Sequence, residues 1–549
     1  MLVNTSTLYN YNRCRRFAAL NDPLFSDITI NKNMDYYKAY FKDIFLSHLY
    51  DKSQVIKKNL RLTYEFSHGI TLQEEYDFAI EDKLYIVIPV PTKDFLHLKI
   101  KIDNHKYQVF VKNSQGIYTI RPNIQSNPSF KEEFKKLFSS YDRIGRVLLF
   151  YAMKHFVYKS VNPNQDFKMY FVMLNNDYCH DGMVYTEKLY HIFDFSSLNH
   201  LEEMVKIALF RMINHLELKD FTPCELVRKA CRKGKNTQCK FVDFCYSHLP
   251  KNTSILDFFQ ANSGFDERIN NHVIHYDTYE LINNGYVSMQ DVPISWLSNQ
   301  NHLMQRYCVD NSTVFYHKTK LKAGLSKIKF PIICLDARTL TRVIPIHENQ
   351  KPFSDEFFLL SYLPIFNIDS KIENMEIRSH FVYSGKENKE RLIDDFISKI
   401  NRFSGTIIVY DWSVEWAVIN DLKELYPAKR KGIELFSNRV FDLMDIIKSN
   451  KSLFKSLGFE GSELETYNFY HQDFGGEYRL EDVSNYFDKA SENKLSISNE
   501  KQAVEAYLEL NDLTAFEQRK VKENLAAYSQ NNSLLIYKIL KGLNSLAVG

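Results

Sequence analysis

Long apolar runs are missing from this sequence: the longest, 147–153, falls far short of the roughly 20 residues a membrane-spanning helix needs. Cysteine is scarce, with 8 in 549 residues, which excludes a small secreted scaffold stapled by disulfides. Neither sign of charge dominates. Lys plus Arg number 70 against 67 Asp plus Glu, a net +3, so composition alone names no polyanionic partner. Trp is limited to 3, and no internal repeat or long low-complexity tract appears. The opening MLVNTSTLYNYNRCRRF has no apolar h-region and no small-residue cleavage site, which sets the expectation of a cytoplasmic protein without a membrane partner.

What is present suits a folded chain. Hydrophobic residues make up 44% and charged residues 25%, near the values of globular proteins and far from those of disordered ones. At roughly 100 to 200 residues per domain, this length predicts two to four domains. Residues 84–90, 98–102, 107–111 and 117–120 read as strands, the last two forming a hairpin across Asn113-Ser114-Gln115-Gly116. Helical periodicity follows at Phe134, Leu137, Phe138, Ile144, Val147, Leu148 and Tyr151, and 169–174 reads as another strand. Between about 249 and 329 the pattern weakens into short helices and polar loops, as in a connector. Strands are then expected at 332–335, 357–364, 377–383 and 406–410, with helices at 389–400 and 415–425, an order that suits an RNase H-like α/β layer.

The cysteines that do occur are grouped. Cys224, Cys231, Cys239 and Cys245 crowd one basic loop, while Cys14 stands alone between Arg13 and Arg15. Gaps this wide fit zinc ribbons poorly, but one distant thiolate and three from a later loop can enclose an iron–sulfur cube. Zinc, and incidental thiols on a charged loop, are the alternatives. Arg228, Lys229, Arg232, Lys233, Lys235 and Lys240 would offset a thiolate-held cluster and offer cations to nucleic-acid phosphates. Cys179, Cys308 and Cys334 read as ordinary packed thiols.

Several landmarks together resemble a known family. They are Tyr11-Asn12-Arg13-Cys14-Arg15, then Leu174-Asn175-Asn176-Asp177-Tyr178, then Cys231, Cys239 and Cys245 running into His248-Leu249-Pro250. The chain is similar in this order to the bacterial family called domain of unknown function 2779. Members of that family resemble an iron–sulfur PD-(D/E)XK nuclease-like domain fused to a DEDD-type exonuclease domain. The resemblance implies an α/β fold in three parts: a PD-(D/E)XK-like domain over 1–250, a helical connector over 251–329 and an RNase H-like, exonuclease-like domain over 330–549. It also implies a 4Fe-4S cluster on Cys14, Cys231, Cys239 and Cys245, with Cys224 as a substitute ligand.

Departures from the family pattern bear on activity. The first domain should present Asp on one strand and Glu-x-Lys on the next, to hold a metal and orient water. Arg121-Pro122-Asn123 stands where Glu-x-Lys is expected, and Asp103 suits a loop. In the second domain the first strand should carry Asp-x-Glu; Asp336 is there, but Arg338 takes the Glu position. The second motif keeps Glu415 and has Asp411 where the family shows Asn. Near the end, Tyr528-Ser529-Gln530-Asn531-Asn532 looks like the family's Tyr-Cys-x-x-Asp, with Asn532 for Asp. His471 reads either as a relic of the general base or as a loop His bonded to a neighbour. Asp442 reads as the cap of the following helix as well as a family position.

The leading expectation is a nuclease-derived protein that binds DNA or RNA, single-stranded or at ends, and has lost cleavage. An active 3′-to-5′ exonuclease is the alternative, with Mg or Mn held by a rearranged set of Asp336, Asp411 and Glu415. A scaffold that touches only protein is the third.

Overall fold

In the computed structural model the described residues are 2–14, 16, 32–49, 56–67, 69–140, 142–217, 231, 239, 241–270, 272–371, 378–381, 389–488 and 495–549. The chain forms two compact units. One comprises Met1–Cys224 with Arg342–Ser354, the other Glu225–Thr341 with Asp355–Gly549. Both are mixed α/β, and among the described residues no helix is long and apolar enough to cross a membrane.

The first unit is built on strands β1 (Leu2–Val3), β2 (Ile56–Ser67), β3 (Ile70–Ile80), β4 (Lys83–Pro91), β5 (Lys99–Ile102), β6 (His105–Gln108), β7 (Phe110–Lys112), β8 (Tyr118–Ile120), β9 (Lys168–Leu174) and β10 (Tyr190–Asp194). Its main sheet runs β1-β3-β4-β9-β10-β8-β7, with β2 also paired to β3. β4 and β9 are parallel neighbours, and each is a nearly continuous apolar run, as a strand covered on both faces requires. Helices α1 (Thr5–Arg13), α2 (Lys32–Leu49), α3 (Pro128–Phe138), α4 (Arg143–Val161) and α5 (Glu202–Glu217) complete the unit. The stretch 107–111, expected as one strand, is divided at Val109. Tyr107 and Gln108 pair back onto β5, whereas Phe110 and Val111 pair onto β8. Buried Val109 is the pivot, its N–H donating to the Leu98 carbonyl at 3.0 Å.

Two carboxylates are buried in this unit, and both tie a helix to β3. Along β3 the residues Ile70, Leu72, Glu74 and Tyr76 alternate inward, so Glu74 occupies a slot that would ordinarily be apolar. Its Oε1 accepts from the Thr5 N–H (2.7 Å) and hydroxyl (2.5 Å) at the start of α1, and its Oε2 accepts from Lys154 Nζ of α4 (2.6 Å). Lys154 also donates to the Glu75 carbonyl at 2.6 Å. Asp77 accepts from the Val87 N–H of β4 (2.8 Å) and faces Lys42 (3.0 Å) and Lys38 (3.5 Å) of α2.

In the second unit, strands β11 (Phe265–Ile269) and β12 (His272–Tyr276) form a hairpin, and β13 (Phe315–Tyr316) pairs with the late β19 named below. The central sheet uses β14 (Ile332–Arg342), β15 (Ser354–Ile365), β16 (Arg378–Phe381), β17 (Ile407–Val409) and β18 (Val440–Asp442), in the order β16-β15-β14-β17-β18. β17 is parallel to β14 and to β18, and β16 is antiparallel to β15. Helices α6 (Lys389–Ile400) and α7 (Glu415–Leu425) cover one face, where Ile333, Leu335 and Ala337 meet Ile393, Phe396, Ile397, Val418 and Ile419. The opposite face, presenting Ile332 and Cys334, packs against the long terminal helix α8 (Ala515–Val548) through Ile536, Tyr537 and Leu540. Phe259, Met304, Cys308 and Leu321 join that second layer. The segment 251–329, expected as a connector, therefore supplies core to this unit. Short strand β19 (Phe469–Tyr470) completes the list.

Removing one partner of a buried ion pair strands the other, at a cost of about 3–5 kcal/mol. Glu74→Ala is therefore expected to lower the stability of the first unit by roughly that amount in urea denaturation, and the double change Glu74→Leu with Lys154→Met by clearly less. Equal losses in the two variants would show that packing, not the charge pair, decides the effect.

Candidate functional site

Strand parity builds the site. Side chains alternate along β14, so Asp336 falls on the Cys334 face toward α8, and Arg338, two residues on, shares that face. The Arg338 guanidinium grips the Asp336 carboxylate with two donors, Nε to Oδ2 at 3.1 Å and a terminal nitrogen to Oδ1 at 2.5 Å. The Ser529 hydroxyl of α8 donates to Oδ2 at 2.7 Å. The guanidinium also lies over the ring of Tyr528, 5.2 Å from its centroid. Asp336, Tyr528, Ser529 and Asn532 are all buried. Asn532 is close enough to favour the Asp336 anion, yet its Nδ2 completes no well-formed hydrogen bond within the described structure.

The electrostatics of the pair pull in two directions. Burial pushes the Asp336 carboxyl above its ordinary value, and Arg338, Ser529 and Asn532 offset only part of that. For Arg338, burial is unfavourable too, but Asp336, Tyr528 and Glu500 outweigh it and hold the guanidinium above its ordinary value. The pair is ionised on physical grounds: a guanidinium does not give up its proton in a protein, and a two-donor fork matches a carboxylate.

Glu415 opens α7 and is partly buried. Burial raises its carboxyl to about 7; its own backbone N–H and Arg338 lower it, while Glu500 and Asp336 raise it further. Glu500, at the start of the helix Glu500–Leu508, thus joins Arg338, Asp336 and Glu415 in one electrostatic group. Nothing local in the sequence marks it, because it approaches from a separate helix that the folding of the chain brings in.

Asp411 lies in the loop between β17 and α7. It sits exposed on a turn with a positive φ of 55°. The turn is held by Asp442, whose carboxylate accepts from the N–H groups of Asp411 (2.9 Å), Trp412 (2.7 Å) and Met444 (2.9 Å). Burial lifts Asp442 to about 6, against the pull of those three donors. Asp442 is therefore a helix cap and a clamp. Among other groups, Asp411 acts on buried Tyr410, whereas Asp336 and Glu415 face Arg338.

His471 caps the short turn Gln472–Phe474, its Nδ1 accepting from the Asp473 N–H at 3.2 Å, with Tyr486 against its ring. In the cysteine loop, the Cys239 N–H donates to the Cys231 carbonyl at 2.9 Å, and Val242–Cys245 forms one helical turn immediately after. Cys231 and Cys239 are thereby in backbone contact, and Cys245 closes the helical turn. Cys14 ends α1 in the first unit, its N–H bonded to the Asn10 carbonyl at 2.9 Å. Cys224, Arg228, Lys229, Arg232, Lys233, Lys235 and Lys240 lie outside the described residues. Among the described residues, no three His, Cys, Asp or Glu side chains form a ready metal-holding group.

Cys308 and Cys334 are packed thiols as expected, burial pushing Cys308 up to about 11 and Cys334 upward as well. Cys179 is a correction: it is exposed, with its sulfur 4.0 Å from Asn349 Oδ1, because it falls in a loop after β9 rather than within the strand. Arg121 follows β8 and precedes the one-turn helix Pro122–Gln125, while Asp103 occupies a turn and accepts from Asn127 at 2.9 Å. The buried acids of the first unit are instead Glu74 and Asp77. The signal for them is present in ITLQEEYDFAI, where carboxylates interrupt an apolar alternation.

Residues 333–479, which include Asp336, Arg338, Asp411 and Glu415, match the family described as Domain of unknown function (DUF2779). Over this segment the chain is similar to the DUF2779 family. The match begins on β14 and ends beyond the His471 turn, so it takes in the acid–guanidinium pair but not Glu500, Ser529 or Asn532. No curated protein and no solved structure matches the chain.

The raised carboxyl of Glu415 gives a signed expectation. A folded-state value near 7 against an ordinary 4.5 means the fold favours the protonated form. Its stabilising contribution is complete below the unfolded value and is lost as pH rises through the folded one. Melting temperature should therefore fall between pH 5 and 8 more steeply in the unaltered protein than in Glu415→Gln; parallel profiles would refute the assignment.

Proposed function

We propose that this chain derives from a nuclease and binds nucleic acid without cleaving it. The observation that carries this reading is the two-donor ion pair between Arg338 and Asp336, closed on its other side by Ser529. Two-metal hydrolysis needs carboxylates free to hold cations about 4 Å apart. A guanidinium in place of the second carboxylate changes the charge facing a dication by two units. At an effective dielectric near 20, each unit pair at ~4 Å is worth on the order of 4 kcal/mol.

The domain readings rest on the same footing. For the second unit, the strand order β16-β15-β14-β17-β18, with α6 and α7 on one face, suits an RNase H-like layer whose first strand carries the acids. For the first unit, a PD-(D/E)XK-like origin is supported by the family likeness alone, and the β7–β8 hairpin carries no acid.

A 4Fe-4S cluster on Cys14, Cys231, Cys239 and Cys245 belongs to this proposal, with zinc as its competitor. The donor chemistry fits, since Cys231 and Cys239 are drawn together by a backbone hydrogen bond and Cys245 follows within a turn. Bound there, the group would supply a covalent staple for the loop.

One anaerobic preparation tests both parts. End-labelled single-stranded DNA and RNA incubated with Mg or Mn should keep their length, and the protein should carry iron and sulfide that Cys239→Ser loses. Metal-dependent shortening abolished by Asp336→Ala would overturn the loss of cleavage, and a colourless, iron-free protein would overturn the cluster.

A further inference from the structure

Strand β5 alternates Lys99, Ile100, Lys101, Ile102. Ile100 and Ile102 are buried in the core of the first unit, which turns Lys99 and Lys101 to solvent. Asp103 and Asn104 make the turn to β6, both with positive φ (48° and 67°). Two such residues in a two-residue connection are the pattern of a type I′ hairpin, whose twist matches the strands and fixes their register. That register sets Lys101 opposite Lys106 and Lys99 opposite Gln108. Like charges directly across a two-stranded ladder, with Cβ atoms ~5 Å apart, destabilise it.

Among the described residues no nearby acid is paired with them. Asp94 is paired with Arg143 at 2.5 Å and Asp103 accepts from Asn127 at 2.9 Å. On α3, which packs against β5, Glu132 is paired with Lys135 (3.0 Å) and Glu133 with Lys136 (2.6 Å). Among the described residues Lys99, Lys101 and Lys106 have no ion-pair or hydrogen-bond partner for their ammonium groups. Arg121 adds a fourth cation at the edge of the hairpin, its Nε donating to the Gln108 carbonyl at 3.2 Å.

We propose that the β5–β6 hairpin is a docking surface for the phosphate backbone of a single-stranded polynucleotide, a proposal that rests on the nucleic-acid-binding reading above. Its three unpaired lysines stand on a ladder of fixed register, with successive outward positions on β5 ~7 Å apart. A polynucleotide backbone presents its phosphates in a row, as the lysines stand in one, whereas a lipid headgroup presents its charge singly.

The test is an anisotropy titration of the full chain with a labelled oligothymidylate across a salt series. Each phosphate contact contributes about 0.7 to the slope of log affinity against log salt for a single strand. Lys99→Gln with Lys101→Gln and Lys106→Gln should therefore reduce that slope by about 2 and weaken binding at low salt roughly ten-fold or more. The triple variant should melt no earlier than the unaltered protein, since a repulsion has been removed. A full slope in the triple variant would overturn the role of this hairpin and leave the nucleic-acid reading standing. No salt-dependent binding by the unaltered chain would overturn both. A variant that loses affinity only for phosphatidylserine vesicles would assign the hairpin to a lipid surface and overturn the proposal.

Discussion

Asp336 can be a buried anion only because Arg338 lies two residues further along the same strand face. Strand alternation sends both side chains toward α8, and there Ser529 and Asn532 close the remaining approach to the carboxylate. Had the guanidinium arisen one position earlier or later, it would have pointed into the opposite layer among Leu335, Ala337 and the helices α6 and α7. The pair also explains its own persistence. Losing either partner leaves an uncompensated charge in a dry interior.

Buried carboxylates recur in both units as ties between segments. Glu74 fastens α1 and α4 to β3, Asp77 fastens α2 to the β3–β4 pair, and Asp442 fastens the turn at Asp411 to the start of the next helix. In each case the oxygens are filled by backbone N–H groups, a hydroxyl or lysine, so the acid contributes order and leaves little capacity for an incoming metal. On the solvent face of β5 and β6, by contrast, a tight turn holds like charges opposite one another.

How much of this could be read from residues alone depended on distance along the chain. Strands β14, β15 and β17 and helices α6 and α7 were expected nearly at their observed places, because apolar periods of two and of 3.6 are local properties. The neighbourhood of Asp336 and Arg338 was legible for the same reason, since the two stand on one strand. Glu500 was not, because only tertiary folding brings it to Arg338. The division at Val109 was missed because 107–111 reads as an unbroken strand, and nothing in its composition shows that its two ends pair with different neighbours. Segment 251–329 looked like a connector because its apolar residues are spaced too irregularly to show a period, yet Phe259, Met304, Cys308 and Leu321 still fill a core. Glu74 and Asp77 are legible as carboxylates that interrupt an apolar alternation.

The central claim is that a guanidinium fills the seat of a divalent ion. Its most direct test is a manganese titration of the purified chain followed by electron paramagnetic resonance, which counts free and bound Mn(II) separately. The account predicts no bound manganese that depends on Asp336, with identical titrations for the unaltered protein and Asp336→Asn. Stoichiometric manganese bound by the unaltered protein and lost in Asp336→Asn would contradict it.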